Sequence, residues 1–543
     1  MKGSAMMRNT RIFRLSACVL VLVLNACGGG GGSGQVNSGS GSTAPVSSDP
    51  VYTPGVYNSP TTYAAHCAMP RSGVDPISHQ QYPDVQGSMV WENNWLRSWE
   101  NSYYLWYNQL PDLNPASYST ALSYFAADKT SALTASGSLV DKFHFTYTTS
   151  QWEALSQSGA SVDYGAKWEI IQSKPPRQML VAYVEPNSPA NNVNLQRGAS
   201  VVKIDGIDFI NASDQTSVNA INAALSPTNA GESHIFTIID TPGSATRDVT
   251  LTATTVTSQS VMNIKTFSQG TGRLVGYFQF NDHLATAELA LNNAVTQMKS
   301  AGVSDLIIDM RYNGGGYLAI ASELAYMVAG PQRTNGLVFE KTVFNDKYPT
   351  TDPITGQTIV PTPFYSTTQG LSVSGGQALP ALNLARVMIL MGADTCSASE
   401  SVINGLRGIN VQVLVVGSQS CGKPYGFYPQ DNCGTTYFSI EFKGVNNQGF
   451  GDYTDGFIPQ NATALNDGVP VPGCAVADDF THELGDPAES RLGTALQYLA
   501  QGASACPSPT GLTVAPILTR MERPHMIKPV WMQNRILIRS SDH

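Results

Sequence analysis

The stretch DTCSASESVINGLRGINVQVLVVGSQSCGKPYGF, from Asp394 to Phe427, opens on a serine cluster and closes on a lone lysine, Lys423. A serine hydroxyl is a weak nucleophile until a neighbouring base takes its proton. A lysine is such a base when burial lowers its pKa from about 10.4 toward neutrality. Lys423 follows an apolar run and sits among Gly422, Pro424, Tyr425 and Gly426, a setting that can exclude water. The chemistry on offer is acyl transfer from Ser397, with Ser399 as the alternative serine. Such a reaction needs two N–H donors facing the developing oxyanion. Ala398, at a helix start just after Ser397, can give one. Gly315 and Gly316, in RYNGGG, allow the close backbone approach that gives the other. The plain structural alternative makes Ser397 a helix N-cap and Lys423 a surface charge.

The elements around these residues must bring them together. RVMILMG ends at Gly392, a helix runs from about Glu400 to Gly408, and VQVLVVG ends at Gly417. Upstream, GRLVGYFQF reads as a strand and LATAELALNNAVTQMKSAG as an amphipathic helix with Leu284, Leu291, Val295 and Met298 on one face. SDLIIDM reads as a buried strand that runs into RYNGGG and a helix, YLAIASELAYMVAG. Strands alternating with helices imply βαβ units and a parallel sheet. A right-handed crossover points consecutive strands the same way. Ser397 and Lys423 then both lie beyond strand C-termini on one edge, and RYNGGG joins them if its strand is parallel too. That edge is where open α/β sheets place their sites.

At these residues the chain resembles the C-terminal processing, or tail-specific, serine peptidases. SASE (Ser397 to Glu400) is similar to that family's serine motif, GK (Gly422-Lys423) to its lysine motif, and DMRYNGG to its DLR.N.GG. The resemblance spans roughly 160 to 460 and includes the order of a PDZ domain followed by a catalytic core. It implies a serine endopeptidase with Ser397 as nucleophile, Lys423 as general base, a polypeptide substrate and neither cofactor nor metal. There are departures. The serine–lysine interval is one residue longer than that family's usual spacing, and Phe427 stands where many members carry a glutamine, which leaves open the group that orients Lys423. A catalytically inactive, membrane-tethered peptide-binding scaffold is the alternative function.

Residues from about 160 to 257 carry short β-like runs, among them QMLVAYV, ASVVKIDGIDFI, HIFTIID and RDVTLTATTV. Ser188-Pro189-Ala190, Gly198 and Asp205-Gly206 resemble the PDZ pattern of bacterial proteases, with Ala199 in place of the usual acidic residue. Tyr164, Gly165 and Ala166 fall where such domains bind a peptide carboxylate. A glycine-containing loop can converge backbone N–H groups on an anion, and the strand beside it can pair with an extended peptide.

The N-terminus reads as an export segment. Lys2, Arg8, Arg11 and Arg14 precede a short apolar stretch, LSACVLVLVLNAC, and then GGGGGSGQVNSGSGS. LNAC (Leu24 to Cys27) resembles a bacterial lipobox, with Asn25 a departure, and implies cleavage before Cys27 and lipidation of its thiol. A Gly/Ser leash after Cys27 suits an anchored protein. The expected place is the periplasmic side of a bacterial envelope, with outer-membrane sorting. Six further cysteines, Cys67, Cys396, Cys421, Cys433, Cys474 and Cys506, suit disulfides in an exported chain and match no zinc spacing. Cys396–Cys421 is one pairing; pairing among Cys421, Cys433 and Cys474 competes with it.

The chain has 543 residues, 42% hydrophobic and 13% charged, enough for several domains with ample core. A net charge of −9 offers no basic face for nucleic acid. The aromatic stretch MVWENNWLRSWENSYYLWYNQL places Trp91, Trp95, Trp99 and Leu105 near helical spacing, as in a packing module, and His144 reads as a packed histidine. The expected architecture is multidomain α/β: signal peptide 1–26, tether 27–60, N-terminal helical module 61–157, PDZ-like β domain 158–258, Ser/Lys peptidase core 259–506 with a parallel-strand sheet, and C-terminal tail 507–543.

Overall fold

Ser88 starts the first helix, α1 (Met89–Tyr103), by accepting a hydrogen bond from Val90 N. The computed structural model describes residues 48–75, 79–270, 272–462, 467–509 and 535–536. The expected signal peptide, Cys27, much of the tether and most of the C-terminal tail lie outside the described residues. Trp95 and Trp99 of α1 are buried and stack at 5.2 Å. They pack with Phe125 of α2 (Ala121–Ala127) and with Tyr437, far along the chain. Leu105 falls beyond the end of α1 rather than on it. α3 (Thr149–Ser158) starts at the Thr148 side chain and stops at Gly159, whose φ of 65° favours glycine.

This helical module is stitched to the core. Residues Phe145–Thr148 pair antiparallel with Thr435–Phe438, and a disulfide joins Cys67 to Cys433. The bridge closes a loop of several hundred residues, so it restricts the unfolded chain strongly.

The segment expected to be PDZ-like, 158–258, folds around its own apolar cluster, including Val181, Ile204, Phe236, Ile238 and Leu251. Its main strands are β1 (Ala166–Gln172), β2 (Gln178–Val184), β3 (Ser200–Ile204), β4 (Ser233–Ile239) and β5 (Thr246–Thr252). They run in the order β5-β4-β3-β2-β1, each pair antiparallel. α4 (Gln215–Leu225), capped by Asp214, buries Ile221 against them. Asp205 and Gly206 both have positive φ, the tight turn that their types favour. Gly198 approaches Phe480 so closely that a Cβ would lie 2.2 Å from the Phe480 carbonyl oxygen.

The core sheet is built from β6 (Val261–Gln269), β7 (Arg273–Phe280), β8 (Asp305–Asp309), β9 (Arg386–Met391), β10 (Gln412–Gly417) and β11 (Gly473–Ala475). They lie in that order; β6 is antiparallel to β7, and every pair from β7 to β11 is parallel. Central strands are apolar at nearly every inner position because both faces are covered. Leu306, Ile308, Val387, Ile389, Val413 and Val415 face one apolar cluster, and Ile307, Met388, Leu390, Leu414 and Val416 face another. The first face is covered by α5 (Ala287–Ala301), α6 (Leu318–Ala329) and α7 (Ala398–Gly408), the second by α8 (Ser490–Gln501). Leu291, Val295 and Met298 line α5 as expected; Leu284 is buried in the same cluster but precedes the helix.

Behind this edge Arg311 is fully buried and pairs with Asp309, Asp478 and Glu489. A disulfide between Cys474 and Cys506 fastens the end of the core to β11. Arg535–Ile536 pairs in parallel with Gly316–Tyr317. Among the described residues no helix is long and apolar enough to cross a membrane.

Candidate active site

β9 ends at Met391 and β10 at Gly417, in parallel register, so the loops that follow them emerge side by side. The loop after β8 emerges on the same edge. Backbone and side-chain bonds lace the three loops together. Thr395 Oγ1 donates to Met310 O at 2.8 Å, Cys396 N to Asn313 O at 3.0 Å, and Cys421 N to Thr395 O at 3.1 Å. The Cys396–Cys421 disulfide adds a covalent tie between the serine loop and the lysine loop.

Ser397 precedes α7 with φ 61° and ψ −115°, a conformation that non-glycine residues rarely adopt. The turn is held from both sides: Ser397 N donates to Glu400 Oε2 at 3.0 Å, and Ser397 O accepts from Ser401 N at 2.9 Å. Its side chain is fully buried, and Oγ has no hydrogen-bond partner among the described residues. The alternative reading of Ser397 as a helix N-cap is met at the backbone, whose N–H closes a box with the Glu400 side chain. Ser399 differs: its Oγ donates to Asn313 O at 3.1 Å.

Lys423 is fully buried as well. Its Nζ lies 4.2 Å from the centre of the Phe427 ring and 4.9 Å from that of Phe143. Phe427 supplies no hydrogen-bonding group in place of the glutamine of the resembled family; it supplies an apolar wall. Burial pushes the Lys423 ammonium down to about 7, against the upward pull of Asp141 and Glu400. The backbone of the lysine loop is clamped by Glu400, whose carboxylate accepts from Ser420 Oγ at 2.6 Å, Gly422 N at 2.8 Å and Lys423 N at 2.8 Å. Burial raises the pKa of Glu400, and these donors pull it back.

Ala398 is the first residue of α7, where an N–H has no acceptor within the helix. Gly315 is committed elsewhere, which its sequence position does not reveal: its N–H donates to Asn313 Oδ1 at 2.9 Å and its carbonyl accepts from His283 N at 3.0 Å. Gly316, at φ 139°, lies so close to His283 that a Cβ would meet the His283 carbonyl oxygen at 2.6 Å. The periodicity of the sequence did not single out His283 or the Asn313 side chain. His283 is buried, its Nδ1 is 3.0 Å from Asn313 Oδ1, and burial pushes its pKa down to about 3, so it props Asn313 as a neutral ring.

In the antiparallel β segment Tyr164 donates its hydroxyl to Ala224 O at 3.0 Å. Gly165, at φ 76°, gives its N–H to Asp163 Oδ1 at 2.6 Å, and Ala166 pairs with Val184 at the start of β1. The next residue, Lys167, is buried with Nζ 3.6 Å from Asp394 Oδ2, three residues before Ser397. The strand that follows the loop expected to bind a peptide carboxylate thus reaches the serine loop.

Residues 263–427, which contain Ser397 and Lys423, match Peptidase family S41. A carboxyl-terminal-processing protease of Picosynechococcus sp. is 22% identical over 238 residues, 44% of this chain and 49% of that protein. The matched stretch is about half the length of that relative. A crystal structure from Bacteroides fragilis that carries the S41 protease name superposes with a TM-score of 0.55 and 21% identity, covering 77% of this chain and 98% of the other. A photosystem II D1 C-terminal processing protease covers 69% of this chain and 91% of its own, with 17% identity and a TM-score of 0.40. The mixed α/β fold is shared with the first of these structures.

Proposed function

We propose that this chain is a serine endopeptidase of the carboxyl-terminal processing type that works through a Ser397/Lys423 dyad. The observation that carries the reading is the burial of both side chains on one sheet edge, tied through Glu400. Neutral Lys423 Nζ takes the Ser397 Oγ proton as Oγ attacks the scissile carbonyl carbon. The tetrahedral oxyanion forms against the N–H groups of Ala398 and Gly316, with Gly315 shaping the turn rather than donating. Collapse breaks the C–N bond, the lysine returns the proton to the departing amine, and an acyl-serine remains. A water molecule, deprotonated by the same lysine, then hydrolyses the ester and regenerates Ser397.

In this reading the PDZ-like domain captures the C-terminal end of an envelope polypeptide near Tyr164, Gly165 and Ala166, and Lys167 with Asp394 connects that capture to the serine loop. The mature chain is tethered through a lipidated Cys27 and faces the periplasm, in keeping with three disulfides between six described cysteines. An unfolded test polypeptide, offered with a free or an amidated C-terminus, tests both parts. Wild type is expected to degrade the free form faster and Ser397→Ala neither form. Equal degradation by Ser397→Ala refutes the nucleophile, and indifference to amidation refutes C-terminal capture. Mass spectrometry of the mature N-terminus is expected to find diacylglyceryl-modified Cys27; an unmodified N-terminus downstream of it refutes the anchor.

A further inference from the structure

We propose that Asp141, supplied by the N-terminal module and held there by Tyr104 and His144, is the acidic positioning residue for the Lys423 ammonium. The proposal rests on the reading of Lys423 as the base. It answers a question that the site leaves open, since Phe427 offers the lysine a ring face and no hydrogen-bond acceptor.

The segment from Asp141 to His144 lies against the lysine loop. Lys142 Nζ donates to Cys421 O at 3.1 Å, two residues before Lys423. The Phe143 ring lies under Lys423 Nζ at 4.9 Å and against Tyr425 at 6.5 Å between ring centres. Asp141 is joined to this turn through its Oδ1, which accepts from Phe143 N at 3.0 Å. Its Oδ2 accepts from Tyr104 Oη at 2.6 Å and lies 2.5 Å from His144 Nδ1. His144 Nε2 lies 3.5 Å from Glu100 Oε1, and Ser439 Oγ donates to Glu100 Oε2 at 2.8 Å. Asp141, Tyr104, Glu100 and both ring nitrogens of His144 are all buried.

A carboxylate this deep is expensive to leave ionised without a partner. Burial raises the pKa of Asp141, but the His144 charge and three donors outweigh it and hold the group below the ordinary carboxylate range. Burial lowers the pKa of His144, but Asp141 and Glu100 outweigh it and bring it to about 9. Near neutral pH the cluster therefore presents an ionised Asp141 backed by an imidazolium. Among the described residues, Asp141 from the N-terminal module and, less strongly, Glu400 from α7 favour the charged form of Lys423. The purely structural alternative, an ion pair that pins the module to the core, does not explain why the same turn sets the Phe143 ring on the Lys423 ammonium and ties Lys142 to the backbone of its loop.

The test compares two substitutions at one hydrogen bond. Asp141→Asn removes the charge that favours the protonated lysine. The rising limb of kcat/KM against pH is expected to move toward acid by about 1 pH unit, with a fall of about tenfold in the plateau. Tyr104→Phe keeps the charge but removes a donor that disperses it, so the limb is expected to move toward alkali by a few tenths of a unit. Asp141→Glu is expected to restore part of the plateau. Opposite shifts support the assignment. An unmoved limb in either variant, or shifts of the same sign, overturns it. If Asp141→Asn fails to fold, the direction of the Tyr104→Phe shift decides alone. Loss of activity in Lys423→Ala with unmoved limbs refutes only Asp141, whereas retained activity in Lys423→Ala refutes the dyad and this inference together.

Discussion

Ser397 and Lys423 donate their backbone N–H groups to one oxygen atom, Oε2 of Glu400, at 3.0 Å and 2.8 Å. One buried carboxylate thereby fixes the distance between two loops that belong to different crossovers of the sheet. The serine turn has a strained backbone, and strain of this kind persists only where surrounding bonds over-determine it. Glu400 and the Cys396–Cys421 bridge are those constraints.

Glu400→Gln sets an amide NH2 among groups that are all donors: Ser397 N, Ser420 Oγ, Gly422 N and Lys423 N. A loss of about 1–3 kcal/mol in stability is expected from the unsatisfied donors, with kcat/KM lower by at least about tenfold from loop displacement. Thermal unfolding and kinetics on an unfolded polypeptide check this. Unchanged kcat/KM would show that Glu400 holds nothing the reaction needs.

The double substitution Cys396→Ala/Cys421→Ala opens a bridge with a sequence separation of 25. The chain-entropy model gives such a loop about 3.5 kcal/mol. The expected result is a lower Tm together with slower turnover, reproduced in wild type by a reductant and reversed on reoxidation. Full turnover in the reduced wild-type protein would contradict the proposed pinning of the two loops.

Arg311→Met removes the cation shared by Asp309, Asp478 and Glu489, behind the loop that carries Gly315 and Gly316. Breaking a buried pair from one side costs about 3–5 kcal/mol. Denaturant unfolding is expected to show that loss at neutral pH. A change below 1 kcal/mol would mean that water or other cations already serve those carboxylates.

Lys423 itself carries a stability signature. Its folded-state pKa of about 7 lies below its unfolded value, so the unfolded chain binds the proton more readily. Its contribution becomes increasingly unfavourable as pH falls from about 10 and levels off below about 7. Lys423→Met is therefore expected to be more stable than wild type by about 2–4 kcal/mol at pH 7, with the gap closing above pH 10. An equal or larger gap at pH 10.5 would contradict a depressed lysine.

Much of this edge was legible in the sequence. The continuous apolar run in SDLIIDM marked a buried strand, and right-handed crossovers then placed Ser397 and Lys423 on one edge, joined by the glycine run because its strand is parallel too. What stayed hidden depends on contacts distant in sequence. Neither periodicity nor spacing shows that Gly315 gives its N–H to Asn313, because that bond is set by the path of the turn. His144 is packed, as its surroundings suggest, but packed between two buried carboxylates, Asp141 and Glu100. The N-terminal module reads as a separate packing unit, yet its strand pairing with Thr435–Phe438 and the Cys67–Cys433 bridge bring Phe143 to Lys423. Leu105 and Leu284 keep helical spacing with their neighbours but lie outside the helices, where the chain turns.

The central claim is that neutral Lys423 deprotonates Ser397. It is tested most directly by kcat/KM on an unfolded polypeptide from pH 5 to pH 10, alongside Lys423→Ala. Activity is expected to rise tenfold per pH unit on the acid side, bend near pH 7, where burial places the lysine, and be absent from the variant throughout. A flat profile, a midpoint above pH 9, or an active Lys423→Ala protein would contradict it.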